Sequence, residues 1–286
     1  AVMESMARLS HKKLKVSRTK PNYFRLTDEY TYRPVDLVRC GYIKATDIAD
    51  RFAGKEVSPD DRNAILPEDR IIVNDAGGIF TENEFDSDGE FRKTASVMKM
   101  VIDRHAGAGC ITMGGYDYHT GNRFVGENRD LRAGRCIGAC LEYARRQGEP
   151  LMIYVFSDGS LTSNGNIDNS LPTGGNELGG GGKGEWTGDN SSVAASFFLV
   201  FDPNGGITAH KAGDPRQIGY FDANANVVTS SHRGANNVNL LVNTVLLNYM
   251  ALNGNVTGAG GFDAVFTQLV ASHGLSNLDD LIAFDL

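Results

Sequence analysis

Leu151-Met152-Ile153-Tyr154-Val155-Phe156-Ser157-Asp158 is the stretch on which the fold reading turns. It is an unbroken apolar run, preceded by Gly148-Glu149-Pro150 and closed by a hydroxyl and a carboxylate. A strand that faces water on one side alternates apolar and polar residues. A run without alternation reads as a strand covered on both faces, as in a parallel sheet. The residues before it fit that expectation. Asn128–Arg146 carries Leu131, Arg135/Cys136, Ala139/Cys140 and Tyr143 at helical spacing. Ahead of this helix, Cys110-Ile111-Thr112-Met113 reads as a short buried strand ended by Gly114-Gly115. Strand, helix, strand in this order predicts a βαβ unit with parallel pairing.

Farther from the run, Phe91, Ala95, Met98 and Val101/Ile102 mark a second helix, stopped at His105-Ala106-Gly107. Ala194–Phe201 reads as a third buried strand, closed by Asp202-Pro203-Asn204-Gly205-Gly206. Asn237–Met250 is the clearest helix, with Val238, Leu241, Val242, Val245, Leu246 and Tyr249 on one apolar stripe. A shorter helix is expected near Phe262–Ser272. Residues 158–190 read as a long loop containing Gly174-Gly175 and Gly179-Gly180-Gly181-Gly182. No GxxxxGK[ST] is present, and Lys183 is followed by Gly184, so a flap is expected rather than a phosphate loop. Residues 21–90 are rich in turn signals, with short helices expected near Pro34–Arg39 and Thr46–Phe52 and a short strand at Ile71–Val73. The expected organisation is a basic arm with an irregular or cap region over residues 1–90. An α/β core follows over residues 91–286, carrying the Gly-rich loop 158–190.

Composition narrows the partners. A formal net charge of -7 argues against nucleic acid or an anionic membrane surface. No apolar run approaches the ~18 residues of a transmembrane segment. Residues 1–20 concentrate Arg8, Lys12, Lys13, Lys15, Arg18 and Lys20, a basic arm that reads either as a solvated face or as a contact for an acidic partner. The chain opens on Ala1-Val2-Met3-Glu4 without a signal peptide, and a processed or truncated start is the expectation. Cysteines stand at 40, 110, 136 and 140 with no CxxC, which removes zinc-ribbon and thioredoxin readings. Small buried side chains are expected there, with a Cys40–Cys110 disulfide as the alternative.

The chemistry-bearing residues gather at the ends of the expected strands, where open α/β sheets bind ligands. Asp117 and His119, in Gly114-Gly115-Tyr116-Asp117-Tyr118-His119, offer a carboxylate and an imidazole to one cation. Asp158 follows the second strand, after Ser157, and parallel neighbours would bring it near Asp117. Asp189 and Asn190 precede the third strand and return toward the same edge. The expected site therefore comprises Asp117, His119, Asp158 and Asp189 as ligands to a divalent cation, with Ser157 and Asn190 beside them. A single-loop Asp capping its own turn is the plainer reading of each residue taken alone.

These motifs resemble domain-of-unknown-function family 1501, within the alkaline-phosphatase-like and sulfatase-like superfamily. That family carries GGWDTH, then a strand ending in SEFGRT, then a Gly/Asn loop and a DHG. The resemblance covers roughly residues 91–254. It implies a three-layer α/β/α sandwich with a mainly parallel sheet, export to the periplasm or outside the cell, and a metal site. Asp117 and His119 match the family pair. Asp158 stands where the family has Glu, and Asn190 where it has His. Gly159-Ser160-Leu161-Thr162 lacks the family arginine. Oxygen-rich ligands of this kind suit calcium or magnesium, while the imidazole keeps zinc or manganese open. The family's N-terminal Gly-Gly-Asn-Asp strand has only a faint match at Ile71–Gly78, at the wrong distance, so either a missing N-terminal segment or another protein chain completes the sheet, or this member is degenerate. Two functions follow. One is a noncatalytic relative used for binding or assembly, with a structural cation. The other is a metal-dependent phosphate- or sulfate-ester hydrolase. An unrelated α/β binding protein is the third.

Overall fold

The computed structural model describes residues 24–27, 30–32, 58–59, 69–116, 123–157, 160–173, 179–190, 196–209, 219–220, 222, 228–235, 237–254 and 281–285. Strands β1 (Phe24–Thr27) and β2 (Tyr30–Tyr32) form a small antiparallel pair. A 3-10 turn, Asp69–Ile71, leads into an isolated bridge between Val73 and Phe80. The short strand expected at Ile71–Val73 is thus a turn with one bridge. Helix α1 (Glu82–Ser87) starts on a capping box: Glu84 N donates to Thr81 Oγ1 (3.1 Å) and Thr81 N to Glu84 Oε2 (2.9 Å). Asp88 caps α2 (Gly89–Ile102), its Oδ1 accepting from Glu90 N at 2.8 Å. Helix α3 (Arg123–Gln147) is the longest element among the described residues.

These pieces share one core. Ile72, Phe80 and Phe85 are fully buried and pack with Ala95, Met98 and Ile102 of α2 and with Ala139, Tyr143 and Ala144 of α3. Arg135 closes the join from α3. Its guanidinium lies 4.9 Å above the Phe80 ring, donates to the Ile79 carbonyl, and donates to Glu84 Oε1 at 3.1 Å.

The strands overturn the expected sheet. β3 (Leu151–Phe156) pairs antiparallel with β6 (Ser196–Phe201), from Leu151 opposite Phe201 to Phe156 opposite Ser196. β4 (Ser160–Asp168) pairs antiparallel with β5 (Lys183–Asn190). Both ladders therefore belong to one out-and-back excursion of the chain, residues 151–201. Among the described residues every ladder is two-stranded and antiparallel, and the bridge at Val73 is the one parallel contact. Among the described residues, the chain builds neither the expected α/β/α sandwich with a parallel sheet nor the βαβ unit beneath it. The apolar run was read for its coverage, and coverage does not specify the partner strand. Residues facing each other across the ladder share a face. Leu151 and Phe201 pack on the helical core. On the opposite face, Phe198 meets Phe284 edge-on at 5.6 Å and Tyr154 stacks on Phe156 at 5.2 Å. Both faces of a ribbon thus find apolar neighbours without a parallel sheet.

Two further expectations change. Cys110–Met113 is irregular rather than a strand. The expected loop over residues 158–190 instead contributes both strands of a hairpin, Ser160–Asp168 and Lys183–Asn190, and the four-glycine run leads into the second. Gly179, Gly181 and Gly182 hold φ of 59°, 59° and 75°, the left-handed region that glycine enters without penalty. Gly180 N donates to Ser170 O (2.8 Å) and Gly182 N to Asp168 O (3.0 Å), which carries the pairing of the two arms past the ends of the strands.

Helix α4 (Val238–Ala251) is capped by Asn237, whose Oδ1 accepts from Leu240 N at 3.0 Å. Its buried face is Leu240, Thr244, Leu247, Asn248 and Ala251, while Val238, Val242 and Tyr249 of the expected stripe are exposed. Asn248 explains the choice of face. Its side chain donates to Leu281 O (2.8 Å) and accepts from Ala283 N (2.7 Å), holding the segment that leads into β8 (Phe284–Asp285). β8 pairs with β7 (Thr208–Ala209). The helices expected at Pro34–Arg39, Thr46–Phe52 and Phe262–Ser272 lie outside the described residues. Among the described residues, no helix is long and apolar enough to cross a membrane.

Candidate functional site

The segment around Gly114-Gly115-Tyr116 has no ladder to satisfy its carbonyls, and basic side chains take that place. Lys93 of α2 donates to Thr112 O at 2.7 Å. Arg129 of α3 donates to Gly114 O at 2.5 Å, and Tyr116 returns the contact by donating its hydroxyl to Arg129 O at 3.0 Å. Gly115 makes this approach feasible. Its φ is +86°, and a Cβ there would fall on Arg129 Nη1 and lie 2.8 Å from Nη2. Burial raises the Tyr116 phenol above its ordinary range, partly opposed by Arg132, so it acts as a hydrogen-bond donor at neutral pH. Sequence reasoning took Gly114-Gly115 as the end of a strand and missed Lys93 and Arg129. The paired glycines were the available signal, since they mark a close approach without naming what approaches.

The hairpin turn reaches the same helix. Lys183 Nζ, at the start of β5, pairs with Glu127 Oε1 at 3.0 Å. Glu127 and Arg129 are two positions apart, about 200° around a helix of 3.6 residues per turn. The turn and the Gly114 segment therefore flank opposite sides of the first turns of α3 rather than closing on one another.

Of the expected site residues, Asp117, His119 and Asp158 lie outside the described residues. Ser157 follows β3 and is exposed. Asp189 and Asn190 end β5, with Asp189 opposite Leu161 and Asn190 opposite Ser160. That register returns both residues to the start of β4, two positions along the chain from Asp158. Among the described residues, no group of three or more His, Cys, Asp and Glu side chains is arranged to hold a metal ion. The thiols offer little chemistry in the core: Cys136 is buried, and burial pushes Cys140 up to about 12. Cys110 is exposed and free.

The ribbon also presents apolar surface. Phe156 is 66% exposed and Phe197 52%, at the end of the β3–β6 ladder away from the core. Neither strand of this ladder carries a charge or a proline, and its register runs without a bulge. No protein-family model, no curated protein and no solved structure matches the chain.

Proposed function

We propose that the protein is a noncatalytic binding or assembly protein that takes up an apolar, extended strand of another protein chain along the β3–β6 ladder. The observation that carries this reading is a ribbon to which, among the described residues, no third strand pairs. Exposed edge strands are usually blunted by charge, proline or bulges. This ladder has none of these and ends in exposed Phe156 and Phe197. Strand addition draws affinity from main-chain hydrogen bonds and specificity from alternate side chains. An uncharged ladder favours an uncharged, apolar strand. The root of the ladder, Leu151 and Phe201, is anchored on the helical core, so the edge is presented on a fixed base.

A lysine-flanked peptide carrying the Ser196–Phe201 sequence is a direct probe. Binding by fluorescence anisotropy to the full chain is expected, and Phe156→Lys together with Phe197→Lys should abolish it. Absence of binding at millimolar peptide, or binding indifferent to both substitutions, would refute the reading.

A second reading, a metal-dependent phosphate- or sulfate-ester hydrolase, draws support from the register that returns Asp189 and Asn190 toward the residue after which β4 begins. It requires Asp117, His119 and Asp158 to join them around calcium, magnesium, zinc or manganese. Stoichiometric metal in the purified protein, lost in Asp117→Ala and accompanied by turnover on an ester panel, would favour it over the first.

A further inference from the structure

A strand suited to the β3–β6 ladder is extended, uncharged and apolar, and β6 itself has that composition. Ser196-Phe197-Phe198-Leu199-Val200-Phe201 carries no charge and no proline, and pairs with β3 without a bulge. Its neighbour β3 is uncharged as well. Among the described residues, no third strand pairs with either. The chain as a whole has a formal net charge of -7, so two copies repel wherever their acidic surfaces meet. Along the ladder they meet without opposing like charges. The exposed rings favour β6 over β3 as the contact. Phe156 is already stacked on Tyr154 of its own strand at 5.2 Å, while Phe197 of β6 keeps 52% of its surface exposed.

The acidic residue at the root sets the direction of pairing. Asp202 directly follows β6, its carboxylate held at the strand end by Asn204 N at 2.9 Å and Gly206 N at 2.6 Å. Two β6 strands laid parallel would bring both Asp202 residues side by side, ~5 Å apart. Laid antiparallel, the two stand at opposite ends of a ladder ~20 Å long, at ~3.4 Å per residue. That span exceeds two Debye lengths at physiological salt, ~8 Å each, so their repulsion is screened. We infer that the strand taken up, on the strand-addition reading on which this rests, is β6 of a second copy of this chain, paired antiparallel across a two-fold axis. Such an isologous contact gives each copy the same main-chain hydrogen bonds and closes at two chains. A six-residue pairing lies at the small end of specific interfaces, below ~1,200 Å² of buried surface, so the dimer forms with rising concentration.

Sedimentation velocity of the full chain, from micromolar to near-millimolar, reads the association. The wild type should pass from 30.9 kDa toward twice that mass. Phe197→Lys should stay at the monomer mass throughout. That substitution makes the chain less acidic, so a lost dimer cannot be put down to added net charge. Should the variant fail to fold, as read by circular dichroism, the wild type still decides. The lysine-flanked Ser196–Phe201 peptide in excess should return it to the monomer mass. A wild type that stays monomeric at near-millimolar chain overturns the inference, as does a dimer that a folded Phe197→Lys variant or excess peptide leaves intact. Peptide binding by a monomeric wild type would leave the strand-addition reading standing with a different partner. Absence of peptide binding would remove both.

Discussion

Replacing Gly115 by alanine tests the docking of the Gly114–Tyr116 segment on α3. Two costs add. The backbone sits at φ +86°, which an L-residue enters at about 1 kcal/mol. The new methyl group also occupies the position of Arg129 Nη1, so the guanidinium must swing away and release Gly114 O. A hydrogen bond from a charged group contributes ~1.5–3 kcal/mol when sheltered, and this exposed one is nearer ~1 kcal/mol. The expected loss is ~2 kcal/mol, read by urea denaturation followed through helical circular dichroism. A double-mutant cycle separates the parts. Arg129→Ala alone should cost ~1 kcal/mol. Gly115→Ala in that background should cost only the backbone strain, again ~1 kcal/mol. Additive costs in the double variant would show that the two residues do not meet as described.

Other positions give sharper or more local outcomes. Lys99→Met should destabilise the helical unit by ~3–5 kcal/mol in urea titrations, because it strands the buried Asp69 carboxylate. Asp69→Asn with Lys99→Met together should recover much of that loss. Asn248→Ala leaves Leu281 O and Ala283 N without their side-chain partner, and should cost ~2–3 kcal/mol and speed amide exchange over residues 281–285. Glu84 is held below the ordinary carboxylate range chiefly by Arg135. Its contribution is therefore present above about pH 4.5 and lost as pH falls through the lowered value, so Glu84→Gln should flatten the acid limb of the stability profile.

The helices were legible because their signals are local. Phe91, Ala95, Met98 and Ile102 set the buried side of α2 directly, and Gly148 ended α3 within a residue of the expected position. The strand at Leu151–Phe156 was legible as well. Its partner was not, because the choice between a parallel neighbour across a helix and an antiparallel one across a hairpin is made by distant residues. Glycine density hid that hairpin. The run Gly179–Gly182 reads as loop by composition, yet its left-handed residues Gly181 and Gly182 lead directly into β5. The face of α4 misled for another reason. A helix apolar on nearly every side has no single stripe, and the buried side was decided by what Asn248 bonds in the segment before β8. For the expected cation site, the sequence reading puts Asp189 and Asn190 in the long loop ahead of the third strand, and the structure puts them at the end of β5, opposite Leu161 and Ser160. Asp117, His119 and Asp158 lie outside the described residues.

Leu151 and Phe201 stand opposite one another at the root of the ribbon, so the excursion leaves the helical core and rejoins it at a single doorway about 5 Å wide. From the side of α2 and α3, everything between those two residues is one insertion, admitted through one gap. Such a part can lengthen or shorten with little retuning of the helices that carry it, its further tie to them being Lys183 on Glu127. The same doorway lets substitutions accumulate in the ribbon while the packing of α2 on α3 stays as it is.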